Sequence, residues 1–209
     1  ELNKDDNLRM WAYSRIDTVK NPKILSVVRK AGIKWLCLGI ESGDKKVRLE
    51  VAKGKFEDVD VRKIIKQVHE ADIDIMANYM YGLPGDDLET IKKTFDLSIE
   101  LCTSGWNTYP AMALPGSALY KEAITKGIEM PKTYSGYSFH AYDTICLPTE
   151  KLKAWEVLKL RDDAFIDYHL NPQFLNRIKN RFGDKAVHNI KQMSKIKLTR
   201  KIVEENLTS

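Results

Sequence analysis

Cysteine and histidine are scarce in this chain, and neither is clustered. The three cysteines, Cys37, Cys102 and Cys146, lie far apart and are odd in number, which argues against a disulfide framework and favours a reducing compartment. The four histidines are equally scattered. Because no pair of these residues has the spacing of metal ligands, we predict no zinc or iron-sulfur site held by this chain alone. From the sparse cysteines we expect a cytoplasmic protein.

Long apolar runs and a dominant charge are also missing. No apolar stretch approaches the roughly 18 residues that a membrane span requires, so we expect a soluble protein. The net charge of +5 is modest for 209 residues, and only residues 176–201 are markedly basic. Because no aromatic side chains are interleaved with those cations, a solvated helical face is favoured over a nucleic-acid surface. The chain opens on Glu1 rather than methionine, as expected of a cut within a longer protein.

Alternating extended and helical segments make up the first part of the chain. Apolar residues recur at helical spacing between the extended segments, and this alternation is typical of an α/β fold with a parallel sheet. The sequence therefore predicts four βα units in which the strands run side by side. The predicted strands cover residues 8–15, 34–40, 73–81 and 108–114.

The later part of the chain is predicted to be a loop followed by helices. The loop is rich in Tyr, Ser and Gly, and a short β-ribbon is predicted over residues 139–147. One helix is expected around Trp155, a second from Pro172 to near Gly183, and a third from there toward Asn206. The predicted division is 1–128 for the α/β part, 129–149 for the connecting loop and 150–209 for the helical extension.

Charged residues stand where the first and second predicted strands end. Ligands of parallel α/β folds bind at the carboxyl ends of the strands. A carboxylate at Glu41, assisted by Ser42, can accept hydrogen bonds from both hydroxyls of a ribose. Helix capping or pairing with Arg15 is the alternative role of Glu41. The planar fork of Arg15 suits a ligand carboxylate, or a salt bridge to Asp17 or Glu41.

A Leu-Pro-Gly turn follows each of the third and fourth predicted strands. Gly82 and Gly85 would let the backbone approach a flat base, and main-chain groups would then read adenine. Met112 and Leu114 would flank the base by apolar contact. Each piece also has an ordinary interpretation, since Gly-Leu-Pro-Gly is a common strand-to-helix turn and the apolar residues suit a core.

Two polar residues lie in the middle of the third predicted strand. Asn78 and Tyr79 are adjacent, so they point to opposite faces of a sheet. One of the two is therefore predicted to face a substrate.

Five motifs follow one another along the chain, and their order is more specific than any single motif. They are Arg15-Ile16-Asp17, Leu38-Gly39-Ile40-Glu41-Ser42-Gly43, Lys53-Gly54, Tyr81-Gly82-Leu83-Pro84-Gly85 and Leu114-Pro115-Gly116-Ser117-Ala118-Leu119-Tyr120. In this order they resemble the radical S-adenosylmethionine (SAM) superfamily, over about residues 5–126. The branch that often carries a cobalamin-binding domain is the most similar, and the methylthiotransferase and coproporphyrinogen-oxidase-like groups are more distant.

The resemblance implies a partial TIM-like barrel, units three to six of a (β/α)6 barrel, followed by a helical extension. It implies SAM and a [4Fe-4S] cluster as cofactors, and cobalamin as a candidate cofactor of the parent protein. The CxxxCxxC cluster motif of the family is absent here, so the cluster ligands would lie outside this chain. The cofactor-binding residues implied by the resemblance are Arg15, Glu41, Ser42, Gly82, Leu83, Met112, Ala113 and Leu114.

Without cluster cysteines, the chain alone is expected to lack radical chemistry and to bind SAM weakly or not at all. The open edge of the sheet is expected to pair with the missing N-terminal half of the barrel or with another chain. Methyl transfer, sulfur insertion and oxidation all stay open for the parent enzyme. The alternative is a non-catalytic α/β half-barrel that recruits a protein or a nucleic acid.

Overall fold

A four-stranded parallel sheet is the centre of the fold in the computed structural model, which describes residues 10–51 and 59–207. The spatial order of the strands follows their order in the chain. The predicted parallel α/β fold is confirmed, and within the described ranges the sheet does not close into a barrel. The strands are β1 (Met10–Arg15), β2 (Ile33–Glu41), β3 (Asp74–Tyr81) and β4 (Gly105–Pro110).

Helices connect the strands, and their ends follow capping residues in the sequence. Asn21 caps the first helix, which has Pro22 in its first turn, where the missing N–H costs nothing. Asp87 forms a capping box with Thr90 at the start of the helix that follows β3. The helices within this part are α1 (Pro22–Lys30), α2 (Lys45–Val51), α3 (Val61–Glu70), α4 (Leu88–Leu101) and α5 (Ala118–Thr125).

One face of the sheet packs against helices and forms the main core. Side chains alternate between faces along a strand, so Leu36, Leu38 and Ile40 of β2 all point to the helix side and are buried. Tyr79 and Trp106 do the same from β3 and β4, with their ring centroids 6.3 Å apart. Burial of this apolar surface is the main stabilising contribution to the sheet.

The opposite face, called the open face below, is less covered. Trp11 and Tyr13 on β1 are 62% and 72% exposed, and within the described ranges no strand pairs with the outer edge of β1. The register aligns Arg15 with Gly39, Gly39 with Asn78, and Asn78 with Asn107. The open face consists of Trp11, Tyr13, Arg15, Trp35, Cys37, Gly39, Met76, Asn78, Met80, Asn107 and Tyr109.

The helical extension packs on the sheet rather than standing apart. Its first helix, α6 (Ala154–Leu170), covers the edge of β4. The Tyr168 ring stacks on Trp106 with centroids 5.1 Å apart, and the Tyr168 hydroxyl donates to the Thr103 carbonyl oxygen at 3.1 Å. The Arg161 Nε donates to the Thr108 carbonyl oxygen at 2.9 Å. The Arg161 side chain therefore bonds one of the backbone carbonyl oxygens at the edge of β4.

The next helix, α7 (Pro172–Phe182), is attached to the amino-terminal edge of the sheet by charged contacts. The Arg181 Nε donates to both carboxylate oxygens of Asp74, at 3.2 and 3.1 Å. The Arg177 Nη2 lies 2.9 Å from the His69 Nε2, and because arginine can only donate, His69 accepts through this nitrogen and is neutral. Burial, and next the Arg177 charge, lower the pKa of His69 to about 4.

The predicted fourth strand is shifted along the chain. It was expected over residues 108–114, whereas β4 covers Gly105–Pro110. Helix α4 ends at Cys102 in a left-handed conformation with φ 43°, a position that usually holds glycine. Because the sequence has no glycine at this position, neither the end of α4 nor the early start of β4 could be predicted from it.

The predicted β-ribbon over residues 139–147 and the continuous third helix are both wrong. A 3-10 turn, Ser135–Tyr137, stands in the loop instead, and α8 (Asp184–Met193) is separated from α9 (Lys201–Leu207). One side chain explains both differences. The buried Arg200 guanidinium donates to the carbonyl oxygens of Phe139 and Ala141, which a ribbon would need, and it pairs with Asp162 on α6.

The neutral His69 predicts a pH-dependent stability. Its pKa is lower in the folded chain than the ordinary 6.5, so the unfolded chain takes up a proton first as the pH falls from about 7 to 4, and stability is lost in that window. We expect His69→Gln to lower the free energy of unfolding at pH 7 by about 1 kcal/mol. The difference from the parent chain should shrink at pH 5 in urea denaturation. His188→Gln, at an exposed histidine of α8, is the control; an unchanged difference at both pH values would contradict the assignment.

Candidate functional site

The carboxyl ends of β1 and β2 bring Arg15 and Glu41 to the same edge of the sheet. The strands are parallel neighbours, with Arg15 opposite Gly39. Charged and turn-forming residues of four strands thus meet at one rim, as the sequence predicted. This is the edge at which ligands of parallel sheets bind.

Glu41 has an unusual backbone conformation, and its carboxylate accepts no hydrogen bond from the described residues. Its φ is 67°, a left-handed value that costs a non-glycine residue about 1–3 kcal/mol. The Ser42 N–H donates to the Ile40 carbonyl oxygen at 2.9 Å and closes a tight turn around it. Within the described ranges, no side chain or backbone group bonds its carboxylate, and burial raises the pKa of Glu41. Strain of this kind clusters at functional sites.

Gly39 makes room for that carboxylate. A Cβ added at Gly39 would lie 2.5 Å from the Glu41 Oε1, closer than any real contact. The Glu41 carboxylate therefore lies over the backbone of the open face. The sequence placed Gly39 in the strand-end motif without this role, because the turn that folds Glu41 back is a tertiary feature.

Arg15 forms a bidentate ion pair with Asp17. Its Nε and Nη2 donate to the two Asp17 oxygens at 3.0 and 2.7 Å, and its side chain is half exposed. This is one of the alternatives that the sequence left open. Solvent exposure keeps such a pair weak, about 0–1 kcal/mol, so a ligand carboxylate can compete for Arg15.

Ser42 lies behind the rim and not on it. Its side chain is fully buried, its hydroxyl lies 3.2 Å from the Thr94 Oγ1 on α4, and it accepts from the Asp44 N–H at 3.1 Å. These contacts fix the turn between β2 and α2. Ser42 therefore supports the position of Glu41 from behind.

The Gly-Leu-Pro-Gly turn after β3 is held from below by a buried carboxylate. Asp86 accepts from the Leu83 N–H at 3.0 Å and from the Thr90 hydroxyl at 2.8 Å, and burial raises its pKa against the effect of these bonds. Leu83 is buried beside Val47 of α2. The Cβ position of Gly82, with φ 80°, would lie 2.7 Å from the Val157 Cγ1, so α6 packs directly on this glycine.

The residues after β4 continue from the rim toward the loop. The Ala111 N–H donates to the Tyr81 carbonyl oxygen, and the Leu147 N–H donates to the Ala111 carbonyl oxygen, both at 2.8 Å. Met112 packs partly against the main core, and Ala113 is buried beside Leu147. Leu114 is 52% exposed, so it is accessible to a ligand from solvent.

Asn78 and Tyr79 point to opposite faces, as adjacent strand residues must. Tyr79 is fully buried on the helix side beside Trp106, so its side chain is not available to a substrate. Asn78 is on the open face, where the Asn107 Nδ2 donates to its Oδ1 at 3.3 Å. Asn107 was missed because the predicted fourth strand began one residue after it. The pair places amide donors and acceptors on the open face.

No group of three or more His, Cys, Asp or Glu side chains that could hold a metal ion occurs in the described ranges 10–51 and 59–207. The same ranges contain no helix that is both long and apolar enough to cross a membrane. At the rim, Glu41 offers a carboxylate and Arg15 a guanidinium, and both groups can bond a polar organic ligand.

Sequence comparison finds a curated relative, the anaerobic magnesium-protoporphyrin IX monomethyl ester cyclase of Cereibacter sphaeroides, which is 27% identical over 137 residues. The match covers 64% of this chain and 22% of the relative, so the chain spans about a fifth of the length of that protein. No protein-family profile matches the chain.

Two solved structures align with part of the chain. The radical SAM methyltransferase TsrM from Kitasatospora setae, with cobalamin and a [4Fe-4S] cluster bound, has a TM-score of 0.49 and 19% identity, over 59% of this chain and 25% of its own. The coproporphyrinogen III oxidase HemN of Escherichia coli, a radical SAM enzyme, has a TM-score of 0.47 and 16% identity, over 58% of this chain and 27% of its own.

The chain is similar in sequence to the cyclase of Cereibacter sphaeroides over 64% of its length, and the order of its motifs resembles the radical SAM superfamily. Its four parallel strands form one sheet of an α/β fold.

The close contact at Gly82 predicts a substitution effect at the turn after β3. Gly82→Ala meets both a positive φ and the Val157 side chain, whereas Gly116→Ala meets a similar φ of 88° with no atom within 4 Å. We expect Gly82→Ala to lower the free energy of unfolding by about 1–3 kcal/mol more than Gly116→Ala, because it overpacks the contact with α6. Equal losses in urea denaturation would contradict this packing.

Proposed function

We propose that this chain is the nucleoside-binding part of a radical SAM enzyme whose cluster ligands lie in a preceding segment of the protein. The observation that supports the proposal most directly is the vacant Glu41 carboxylate, held in a strained turn over Gly39 at the carboxyl edge of the sheet. The chain matches only 22% of its curated relative, which leaves room for such a segment.

The residues of the rim fit the polar groups of SAM. A ribose offers two adjacent hydroxyl donors, and the Glu41 carboxylate offers two acceptor oxygens that no described residue uses. Its raised pKa reflects burial without a donor, and donors on a ligand would lower that pKa again. Arg15, half exposed on the neighbouring strand, suits the carboxylate of the methionyl group.

The adenine contact is proposed for the backbone and apolar groups after β3 and β4. Gly82 and Leu83 are fixed by Asp86 and by the packing of Val157, so their backbone groups have a defined direction. Met112, Ala113 and Leu114 follow β4 directly, and Leu114 is exposed.

Asn78 is the proposed substrate contact on the open face. It pairs with Asn107, and this amide pair can reorient to offer either donors or acceptors.

The [4Fe-4S] cluster, when bound, would supply the electron that cleaves SAM reductively to a 5′-deoxyadenosyl radical. The described residues supply none of its ligands. The part of this chain is to bind and orient the adenosyl group, with Glu41 on the ribose.

Cobalamin is proposed as a cofactor of the parent protein because the motifs resemble the branch that often carries a cobalamin-binding domain, and because TsrM was solved with cobalamin bound. The named relatives include a cyclase, a methyltransferase and an oxidase, and the reaction of the parent stays unassigned among methyl transfer, sulfur insertion and oxidation.

The reading frame upstream of this chain tests the proposal. We expect it to encode CxxxCxxC and, after anaerobic expression, to yield a protein that contains iron and sulfide and releases 5′-deoxyadenosine from SAM. A start codon directly ahead of Glu1, or an extended protein that does not cleave SAM, would instead favour a non-catalytic half-barrel that recruits a protein or a nucleic acid.

Glu41→Gln in the extended protein should weaken SAM binding by roughly ten- to a hundred-fold, because a hydrogen bond to a charged group contributes about 1.5–3 kcal/mol. Equilibrium binding of SAM is the measurement, with thermal unfolding to verify the fold. Glu70→Gln carries the same change at an exposed position at the end of α3, and it should bind SAM like the parent. Equal affinity of both variants would remove Glu41 from the site.

A further inference from the structure

A cavity of about 340 Å³ lies outside the rim, between α6 and the segment that joins α8 to α9. Its volume is at the lower end of the range for small-molecule sites. Neither the order of the motifs nor the proposed SAM site involves it. Its lining residues are His140, Arg161, Asp162, Asp163, Phe165, Ile166, Met193, Ile196, Lys197 and Leu198.

Arg161 supplies a buried guanidinium to this cavity with one nitrogen unused. The side chain of Arg161 is only 7% exposed. Its Nε donates to the Thr108 carbonyl oxygen at 2.9 Å and its Nη1 to Asp162 at 2.8 Å, while its Cζ lies 5.5 Å from the Phe165 ring centroid. No residue of the described ranges accepts from its Nη2. This nitrogen is not among the buried polar atoms without a partner, so an acceptor on a ligand can reach it.

The charges around Arg161 leave the floor of the cavity positive. Asp162 is shared, because Arg200 donates to both of its oxygens, at 2.7 and 3.1 Å. Asp163, the other carboxylate in the lining, pairs with Lys159. Lys197 adds a further cation to the lining. The lining holds two cations and two carboxylates, but Arg200 and Lys159, outside the lining, each pair with one of the carboxylates and leave an excess of positive charge. The two carboxylates would still repel a highly charged anion.

The remaining wall of the cavity is apolar. It combines Phe165 and Ile166 of α6 with Met193, Ile196 and Leu198 from the facing segment. Ile196 is 70% exposed and Met193 is 39% exposed, so the packing of the chain leaves this apolar surface exposed to solvent. Apolar lining with a few converging polar groups is the usual composition of a small-molecule site.

We propose that this cavity binds a small monocarboxylate with an apolar body. The carboxylate accepts from Arg161, and the apolar body lies against Phe165 and the α8–α9 segment. A carboxylate oxygen can accept a charge-assisted hydrogen bond from the Arg161 Nη2, and a single negative charge balances the excess of cations without strong repulsion from Asp162.

Titration of the full 209-residue chain with octanoate tests the proposal. We expect saturable binding by calorimetry, at least tenfold weaker binding of octan-1-ol, which lacks the charge, and weaker binding still of octylammonium. Absence of octanoate binding, or equal affinity for octanoate and octan-1-ol, would overturn the proposal.

Two variants locate the binding. Arg161→Gln should abolish the preference for octanoate over octan-1-ol, with circular dichroism to verify that the chain is folded. Ile196→Asp adds a negative charge at an exposed position of the wall and should weaken octanoate binding at least tenfold without loss of fold. Ile124→Asp is the matched control, because Ile124 is similarly exposed at 52% on α5 and does not line the cavity. If Ile196→Asp and Ile124→Asp bind octanoate equally, the ligand does not occupy this cavity.

Discussion

The difference between the two faces of the parallel sheet is the constraint on which the rest of the structure depends. Alternation along β2 and β3 sends aliphatic and aromatic side chains to the helix side, where Ile40 and Tyr79 are fully buried. The same alternation sends Gly39 and Asn78 to the open face. Because burial of apolar surface already stabilises the sheet from one side, residues on the other side are available for function.

The carboxyl edge uses this freedom at Glu41. A left-handed backbone at a glutamate is unfavourable, yet the turn is held by Ser42, whose buried hydroxyl contacts Thr94 on α4. Gly39 leaves the space that the carboxylate occupies. The strain at Glu41 is thus maintained by packing on the opposite side of the sheet, and its result is an acceptor group presented at the rim.

The helical extension gives the chain its second set of charged contacts. Arg161 and Arg200 converge on Asp162, and this network attaches the edge of β4, the loop and the start of α9 to α6. At the other end of the sheet, Arg181 and Asp74 attach α7. Buried or half-buried ion pairs contribute little net stability but fix geometry where each partner is satisfied.

Features determined locally were predictable from the sequence, whereas those determined by tertiary contacts were not. The first three strands follow from local pattern, and they agree closely with the structure. The start of β4 could not be predicted in this way, because α4 ends at Cys102 in a left-handed conformation, where a glycine would have been recognised as a helix end. The separation of α8 from α9 depends on Arg200 reaching Asp162, for which residues 184–206 carry no local signal.

The site was predictable to a similar extent. The strand-end motifs correctly brought Arg15 and Glu41 to one rim. Periodicity could separate Asn78 from Tyr79 but could not say which of the two faces the helices, because both faces of a parallel sheet in a barrel are covered. The burial of Ser42 behind the rim depends on a contact with Thr94, 52 residues away.

We propose that a preceding segment of the same protein pairs with the open edge of the sheet at β1 and completes the site. Hydroxyl-radical footprinting of the extended protein and of the 209-residue chain tests it most directly, because Trp11 and Tyr13 are 62% and 72% exposed and Tyr134, at 93%, is a reference far along the chain. The account predicts that Trp11 and Tyr13 are protected in the extended protein while Tyr134 is oxidised equally in both. Equal oxidation of Trp11 and Tyr13 in the two proteins would contradict it.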